Sequence, residues 1–242
     1  MSIDQGNIIN NDQIIEKAKI FFKDEIVQNH IKNTEKLVNL KEFQVNPFLD
    51  KYKANFLEGN DDAISIAKAL AYPRILGTSI NTIFGNQLQK FCNTTLEGFS
   101  STTSGIDIEF IDKIDHRKKY CQIKAGPNTI NKDDIITIKN HFKGIRNLAR
   151  TNHLQVGMTD CVVGVFYGEP YELSNHYKKI DEDYPVYIGK EFWHRLTGDV
   201  NFYSKITDAI GEVAKEVNSK ELVNNVIEKL AQQISQQSFD EI

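Results

Sequence analysis

Apolar residues recur along this chain with two different periods, and the switch between them sets out its plan. From residue 11 to about residue 43 the period is helical. Ile14, Ile15, Ala18, Phe21, Phe22 and Ile26 make one stripe, and Ile31, Leu37 and Leu40 continue it less cleanly. Asn46-Pro47 breaks that run, and a second helical run covers about residues 47–57. Gly59-Asn60-Asp61-Asp62 caps a third, which holds Ala63, Ile64, Ile66, Ala67, Leu70 and Ala71 and is expected to stop at Tyr72-Pro73. Over residues 76–92, Ile80, Ile83, Phe84, Leu88 and Phe91 suit a helix packed behind a sheet.

The period then becomes two. Ile106, Ile108 and Phe110 alternate with Asp107 and Glu109, so the apolar set faces one side and the acids the other. Further on, Tyr120, Gln122 and Lys124 share a face opposite Cys121, Ile123 and Ala125, with a polar turn over residues 112–118 between the two stretches. A hairpin centred near Asp115–His116 places Asp107 across from Lys124 and Glu109 across from Gln122, with Cβ atoms about 5 Å apart in each pair. Ala125-Gly126-Pro127-Asn128-Thr129 ends the second strand. Asn131 caps a helix over about residues 133–148, with Asp133 and Asp134 in its first turn and Ile135, Ile136, Ile138, Phe142 and Ile145 on its buried side.

Residues 151–158 read as a loop. Residues 161–168 are a near-continuous apolar run rich in β-branched residues, the mark of a central strand covered on both faces. A long polar loop is expected over residues 169–183, then a short strand at residues 185–189 and a helix at 190–196 carrying the single Trp, Trp193. Amphipathic helix returns over about residues 202–233, and the tail from residue 236 is expected to fray. The fold class is therefore α/β: a mixed central sheet flanked by helices, with an N-terminal helical layer. The expected division is a helical region at 1–74, serving as scaffold or dimer contact, and a catalytic domain at 75–242 that includes the C-terminal helices.

Composition narrows the setting. A chain of 242 residues is long enough for one core plus a helical layer. It has no apolar run of membrane-spanning length and no basic-then-apolar leader. Cys92, Cys121 and Cys161 lack metal-ligand spacing and read as buried free thiols of a reducing compartment, so a cytoplasmic location is expected. The net charge of −4 argues against a polyanion partner until its distribution is considered. Residues 113–150 hold ten bases against three acids, a local +7 that leaves −11 for the remainder. Lys132, Lys139, Lys143 and Arg146 recur at helical spacing as one basic ridge able to meet phosphates.

The candidate chemistry is phosphodiester hydrolysis. Asp107 is a hard oxygen ligand of the kind Mg²⁺ takes, and Lys124 suits orienting or deprotonating water or neutralising charge on phosphorus. Gln122 offers a neutral oxygen where a second acid is usual, while Glu109, Gln89 on the preceding helix and Glu97 are auxiliary candidates. Asn128, Thr129, Lys132, Lys139 and Lys143 are candidates for contact with bases or phosphates. His116 and His141 are assigned to the surface. No Ser-His-Asp order, phosphate-cradling glycine loop or zinc spacing is present.

Asp107 followed by Gln122-Ile123-Lys124 resembles the PD-(D/E)XK nuclease signature, with glutamine in the place of its second acid. A longer ordered set resembles a branch of type II restriction endonucleases that cut GG-N-CC-centred sites. It comprises Val45-Asn46-Pro47-Phe48, Gly105-Ile106-Asp107, Gln122-Ile123-Lys124-Ala125-Gly126, Val163-Gly164-Val165-Phe166-Tyr167-Gly168 and Tyr187-Ile188-Gly189-Lys190-Glu191-Phe192-Trp193. The resemblance implies a restriction-endonuclease-like fold and Mg²⁺-dependent cleavage of palindromic double-stranded DNA by a homodimer. It also implies a companion DNA methyltransferase. Asp107 and the backbone carbonyl of Ile123 would hold the metal, and Lys124 would be the catalytic lysine. Two rival readings remain: a repair or structure-selective nuclease of the same fold, and a catalytically silent DNA-binding protein.

Overall fold

The structure, a computed structural model, describes residues 10–217 and 219–236, so the expectation for residues 237–242 lies outside it. By contact the chain divides into two compact units. One comprises the described residues of Met1–Phe21 with Gln87–Gly211, the other Phe22–Asn86 with the described residues of Glu212–Ile242. In the second of these units the last helix packs on an early one.

In the second unit the chain runs from a π-helical stretch (Phe22–Val27) into α2 (Gln28–Lys36), α3 (Pro47–Glu58) and α4 (Ala63–Pro73), and it closes with α10 (Lys220–Gln236). Ile66, Ala67, Leu70 and Ala71 of α4 share a core with Val226, Leu230 and Ile234 of α10. Asp62 caps α4 as expected, and Asn46, read as a breaker, caps α3. Asn46 accepts the Leu49 N–H at 3.2 Å and Asp62 the Ser65 N–H at 2.8 Å. Pro73 does not stop the helical run. The chain continues through a π-helical stretch (Arg74–Ser79), a wider winding that directly follows a residue unable to donate to the α ladder. Along α3, Phe48, Tyr52 and Phe56 stand exposed at 89%, 64% and 82%.

The first unit holds α1 (Asn11–Phe21) and the end of α5 (Ile80–Thr94), followed by a four-stranded sheet: β1 (Ile108–Ile111), β2 (Lys118–Lys124), β3 (Cys161–Val165) and β4 (Val186–Ile188). The strands lie in sequence order, β1 antiparallel to β2 and the other neighbours parallel. The mixed sheet of the expected fold class is thus observed, with β2 and β3 central. α6 (Lys132–Thr151) makes the crossover from β2 to β3 and starts from a capping box between Asn131 and Asp134. Its Ile138, Phe142 and Ile145 cover one sheet face beside Val163 and Val165. Ile136, expected inside, is 56% exposed, because it sits off the stripe those three make.

The polar stretch at 169–183 is not all loop. It contains α7 (Asn175–Asp181), where Tyr177 and Ile180, three residues apart, are both fully buried. The opposite sheet face is covered by aromatic rings. Phe91 meets Phe166 edge-on at 5.0 Å, and Phe166 meets Trp193 of α8 (Lys190–Thr197) at 4.9 Å. Trp193 in turn meets Phe202, the first residue of α9 (Phe202–Glu216), at 5.3 Å. Gly164 makes room for the Phe192 ring against β3: a Cβ there would lie 2.7 Å from its Cδ2 and 3.0 Å from Cys121 Sγ.

The β1–β2 register differs from the expected one by two residues. Glu109 pairs with Tyr120 rather than Gln122, and Ile108 with Cys121. The turn chemistry sets the shift. Asp112 accepts the Ile114 N–H at 2.8 Å and Asp115 the Arg117 N–H at 3.0 Å, while His116 takes a left-handed φ of 58°, which places the hairpin centre one residue earlier. A two-residue shift preserves side-chain parity, so the faces read from the sequence survive.

Candidate active site

The ladder between β1 and β2 gives way just before β1, and the site forms there. Gly105 adopts φ 77° in a turn closed by Ile106 N–H to the Thr103 carbonyl, at 3.1 Å. That turn delivers Asp107, whose N–H donates to the Cys121 carbonyl at 3.0 Å. Its carboxylate is left to swing under β2, where Oδ2 accepts the Ile123 N–H at 2.7 Å. The N–H and C=O of one strand residue point to the same side, so the Ile123 carbonyl is directed toward the side Asp107 occupies. The Lys124 carbonyl points the other way, accepting the Phe166 N–H at 3.0 Å.

Burial lifts the Asp107 carboxyl above its ordinary range, opposed by the Ile123 N–H and by the charges of Lys124 and His141. Cys92 and Cys121 lie within electrostatic reach of the same carboxylate. Burial, with a contribution from Asp107, pushes the Cys92 thiol up to about 12 and the Cys121 thiol upward as well, in keeping with buried free thiols.

Gln122 is 8% exposed. Its Nε2 donates to the Gly105 carbonyl and to His141 Nδ1, the latter at 2.8 Å. Its Oε1 is buried and has no hydrogen-bond partner. A buried acceptor without a donor costs free energy unless a ligand satisfies it. Gln122 Oε1, the Asp107 carboxylate and the Ile123 carbonyl are oxygens of the kind a hard divalent cation takes, with a single charge among them. Among the described residues no cluster of three or more His, Cys, Asp or Glu offers a denser site. Lys124 is 29% exposed in its side chain, and the Asp134 carboxylate stands 3.8 Å from its ammonium.

His141 corrects the assignment of that residue to the surface. It lies on the α6 face that meets β2, and its ring stacks where a Cβ on Gly105 would sit, 2.6 Å from Cγ, so only glycine lets the turn and the helix approach this closely. The signal was present in the helical spacing: His141 follows Ile138 by three residues and precedes Ile145 by four. His116, by contrast, is exposed in the hairpin turn.

The auxiliary candidates have other partners. Glu109 accepts from Ser101 at 2.6 Å and Thr103 at 2.7 Å, and pairs with Lys118 at 2.6 Å. Burial alone would raise its carboxyl, but these three partners together hold it below the usual range. Glu97 pairs with Lys17, and the exposed Gln89 contacts Asn93 at 3.5 Å. The Thr129 hydroxyl donates to the Gly126 carbonyl at 2.9 Å and meets Tyr177 Oη at 3.1 Å, and Asn128, Thr129 and Lys132 are all exposed. The basic ridge is not uniform. Lys139 is neutralised by Asp183 at 2.6 Å, and Lys143 and Arg146 open instead onto a cleft shared with Arg117 and Arg150.

An acid ahead of β1, a polar side chain and a lysine alternating on β2, and a helix running on from that strand are now in place. Residues 15–218, most of the chain, match the sequence family described as Type II restriction endonuclease EcoO109I. The chain belongs to that family. No curated protein gives a significant match. Membership makes the protein a site-specific deoxyribonuclease, a hydrolase acting on double-stranded DNA, with the restriction-endonuclease-like α/β fold described above. No helix among the described residues is long and apolar enough to cross a membrane.

Proposed function

We propose that this EcoO109I-family protein is a Mg²⁺-dependent endonuclease of the PD-(D/E)XK type. It would cut a short palindromic, GGNCC-like site in invading DNA, in the cytoplasm of a cell whose own copies are protected by a companion methyltransferase. The observation that supports the reading is the Asp107 carboxylate held by the Ile123 N–H on the same strand that carries Lys124 and Gln122, whose buried Oε1 has no hydrogen-bond partner. Asp107, Ile123 and Gln122 would hold the ion. When bound, the metal supplies charge stabilisation at the scissile phosphate and lowers the pKa of a bound water.

The chain's own groups do the rest. Lys124 approaches the scissile phosphate from solvent, where its ammonium orients the attacking water and offsets charge developing on the phosphoryl oxygens. His141 and the Gly105 carbonyl fix the Gln122 amide so that Oε1, not the NH₂, faces the site. Asn128 and Lys132, exposed beside the site, are placed to contact bases or phosphates. A palindrome is read by the same contacts on each half, which calls for two copies of the chain. The exposed Phe48, Tyr52 and Phe56 on α3 are a face a second copy would cover.

One observation favours the silent DNA-binding alternative: the donor set contains a single carboxylate. A digest of unmethylated phage DNA with Mg²⁺ beside an EDTA control separates the readings. Discrete bands lost on chelation are expected. A smear would favour a structure-selective nuclease, and intact DNA in both Mg²⁺ and Mn²⁺ would leave binding alone.

A further inference from the structure

Two adjoining clefts lie at the end of β2 away from Asp107. One, of about 510 Å³, is lined by Arg117, Lys143, Arg146, Arg150 and Gln155 among others; the second, of about 420 Å³, shares Arg117 and Gln155 and adds Lys118 and Tyr120. Together they form a trough bearing five cations. The lining carboxylate of Asp160 binds Arg117 at 2.5 Å and the Gly157 N–H at 2.7 Å through Oδ2, while its buried Oδ1 has no hydrogen-bond partner, and Lys118 pairs with Glu109 outside the trough. Lys143, Arg146 and Arg150 have no acidic partner among the described residues, and the buried Nε of Arg146 has no hydrogen-bond acceptor. Guanidinium groups left unspent in a polar cleft are matched by phosphate, which they bind with paired hydrogen bonds.

We propose that this trough binds the phosphodiester backbone of duplex DNA flanking the stretch that is cut. Its five cations suit several phosphates rather than one. Lys118 and Tyr120 alternate with Gln122 and Lys124 on one face of β2, so trough and catalytic end lie on the same side of the sheet. Seven residues of strand separate Arg117 from Lys124, roughly 20 Å, which corresponds to about six base pairs of duplex axis. The inference rests on the reading that cleavage occurs at Asp107. It adds a contact surface beyond the residues that flank the site.

The test is binding of the full chain, in Ca²⁺, to two uncut duplexes sharing a GGNCC core, one ending about two base pairs beyond it and the other about ten. In the unsubstituted protein the longer duplex is expected to bind more tightly, with a log K against log salt slope steeper by about one to three. Arg150→Gln, at an exposed side chain, should remove about one unit of that difference, and Arg146→Gln combined with Arg150→Gln nearly all of it. Equal slopes for the two duplexes, or a difference that persists in a folded double variant, would overturn the proposal. If the double variant does not fold by circular dichroism, the single variant decides. Inorganic phosphate is titrated in parallel. A phosphate-induced rise in Tm that the variants lose, without flank dependence, would make the trough a small-anion site instead. A mistaken trough leaves the slopes equal while the digest still yields bands; a mistaken catalytic site fails the digest without altering the slopes.

Discussion

Lys119 and Lys124 stand five residues apart on the same strand, and they live in opposite surroundings. Lys119 points to the face of Cys121 and is wholly buried, its ammonium bonded to Asp115 at 2.5 Å and to the Thr159 carbonyl at 3.0 Å, with Asp160 at 3.8 Å. Nearby, the equally buried Asp112 is bonded to Arg195 at 2.8 Å and to the Ile114 N–H at 2.8 Å. These groups pin the hairpin turn and the start of β3 to the start of β2. Lys124 points the other way, is partly open to solvent, and has its nearest carboxylate only at 3.8 Å, next to a glutamine oxygen with no partner. A buried charge whose bonds are complete holds structure together. Polar groups left incomplete keep their capacity for a ligand. Residue type does not separate the two lysines; their partners do.

That contrast yields four tests. The largest effect is expected for Asp107→Ala, which should lower cleavage by at least about a thousandfold while duplex binding in Ca²⁺ and the melting curve stay intact, since the metal's contribution to such chemistry is worth several kcal/mol. Undiminished cleavage would move the active site elsewhere. The two lysines should then part company. Lys124→Ala should cost about a hundredfold in single-turnover rate with little change in Tm. Lys119→Met should instead lower stability by about 3 kcal/mol in denaturant titration, because it removes the ammonium that ties Asp115 to the Thr159 carbonyl and takes one of its cations from the buried Asp160. If Lys119→Met melts normally, or Lys124→Ala unfolds the protein, the contrast is wrong.

A smaller effect is expected from Gly105→Ala. Its methyl would meet the His141 ring at a backbone conformation side chains rarely adopt, releasing the Gln122 amide and slowing cleavage about tenfold. A rate equal to that of the unsubstituted enzyme would detach His141 from the site.

The smallest concerns acid stability. Burial opposes ionisation of Asp115, but the bonds from Lys119 and the Arg117 N–H outweigh it and hold its carboxyl below the ordinary value. The folded-state pKa is thus the lower one. Its contribution is present above the usual aspartate range, disappears as pH falls through the folded value, and amounts to less than about 1 kcal/mol for a group this exposed. Tm measured from about pH 5 to about pH 2 should fall less steeply in Asp115→Asn; identical acid profiles would mean the pair contributes nothing.

Much of this molecule was legible along the chain. The β strands, the Asp62 and Asn131 caps, and the alternation that puts Gln122 and Lys124 on one face follow from local periodicity and local hydrogen bonding. These act within a few residues and leave their pattern in the sequence. The misreadings have equally definite causes. The hairpin register was off by two because Asp112 and Asp115 both accept backbone N–H groups, and periodicity alone does not say which acid caps which turn. The helix across Tyr72-Pro73 continues because a π-helical winding follows the proline. α7 was hidden because only Tyr177 and Ile180 carry its buried side.

The sequence by itself determined which residues alternate, where most of the helices form, and that an acid and a lysine of hydrolytic type occur in neighbouring stretches. Only the tertiary structure decided that His141 reaches Gln122, that Asp183 neutralises Lys139, that Lys119 is sealed in while Lys124 is open, and that α10 joins α4. The reason is physical. Each of these depends on a partner tens of residues away, whose position is fixed by how whole faces pack rather than by any preference of its neighbours in the chain.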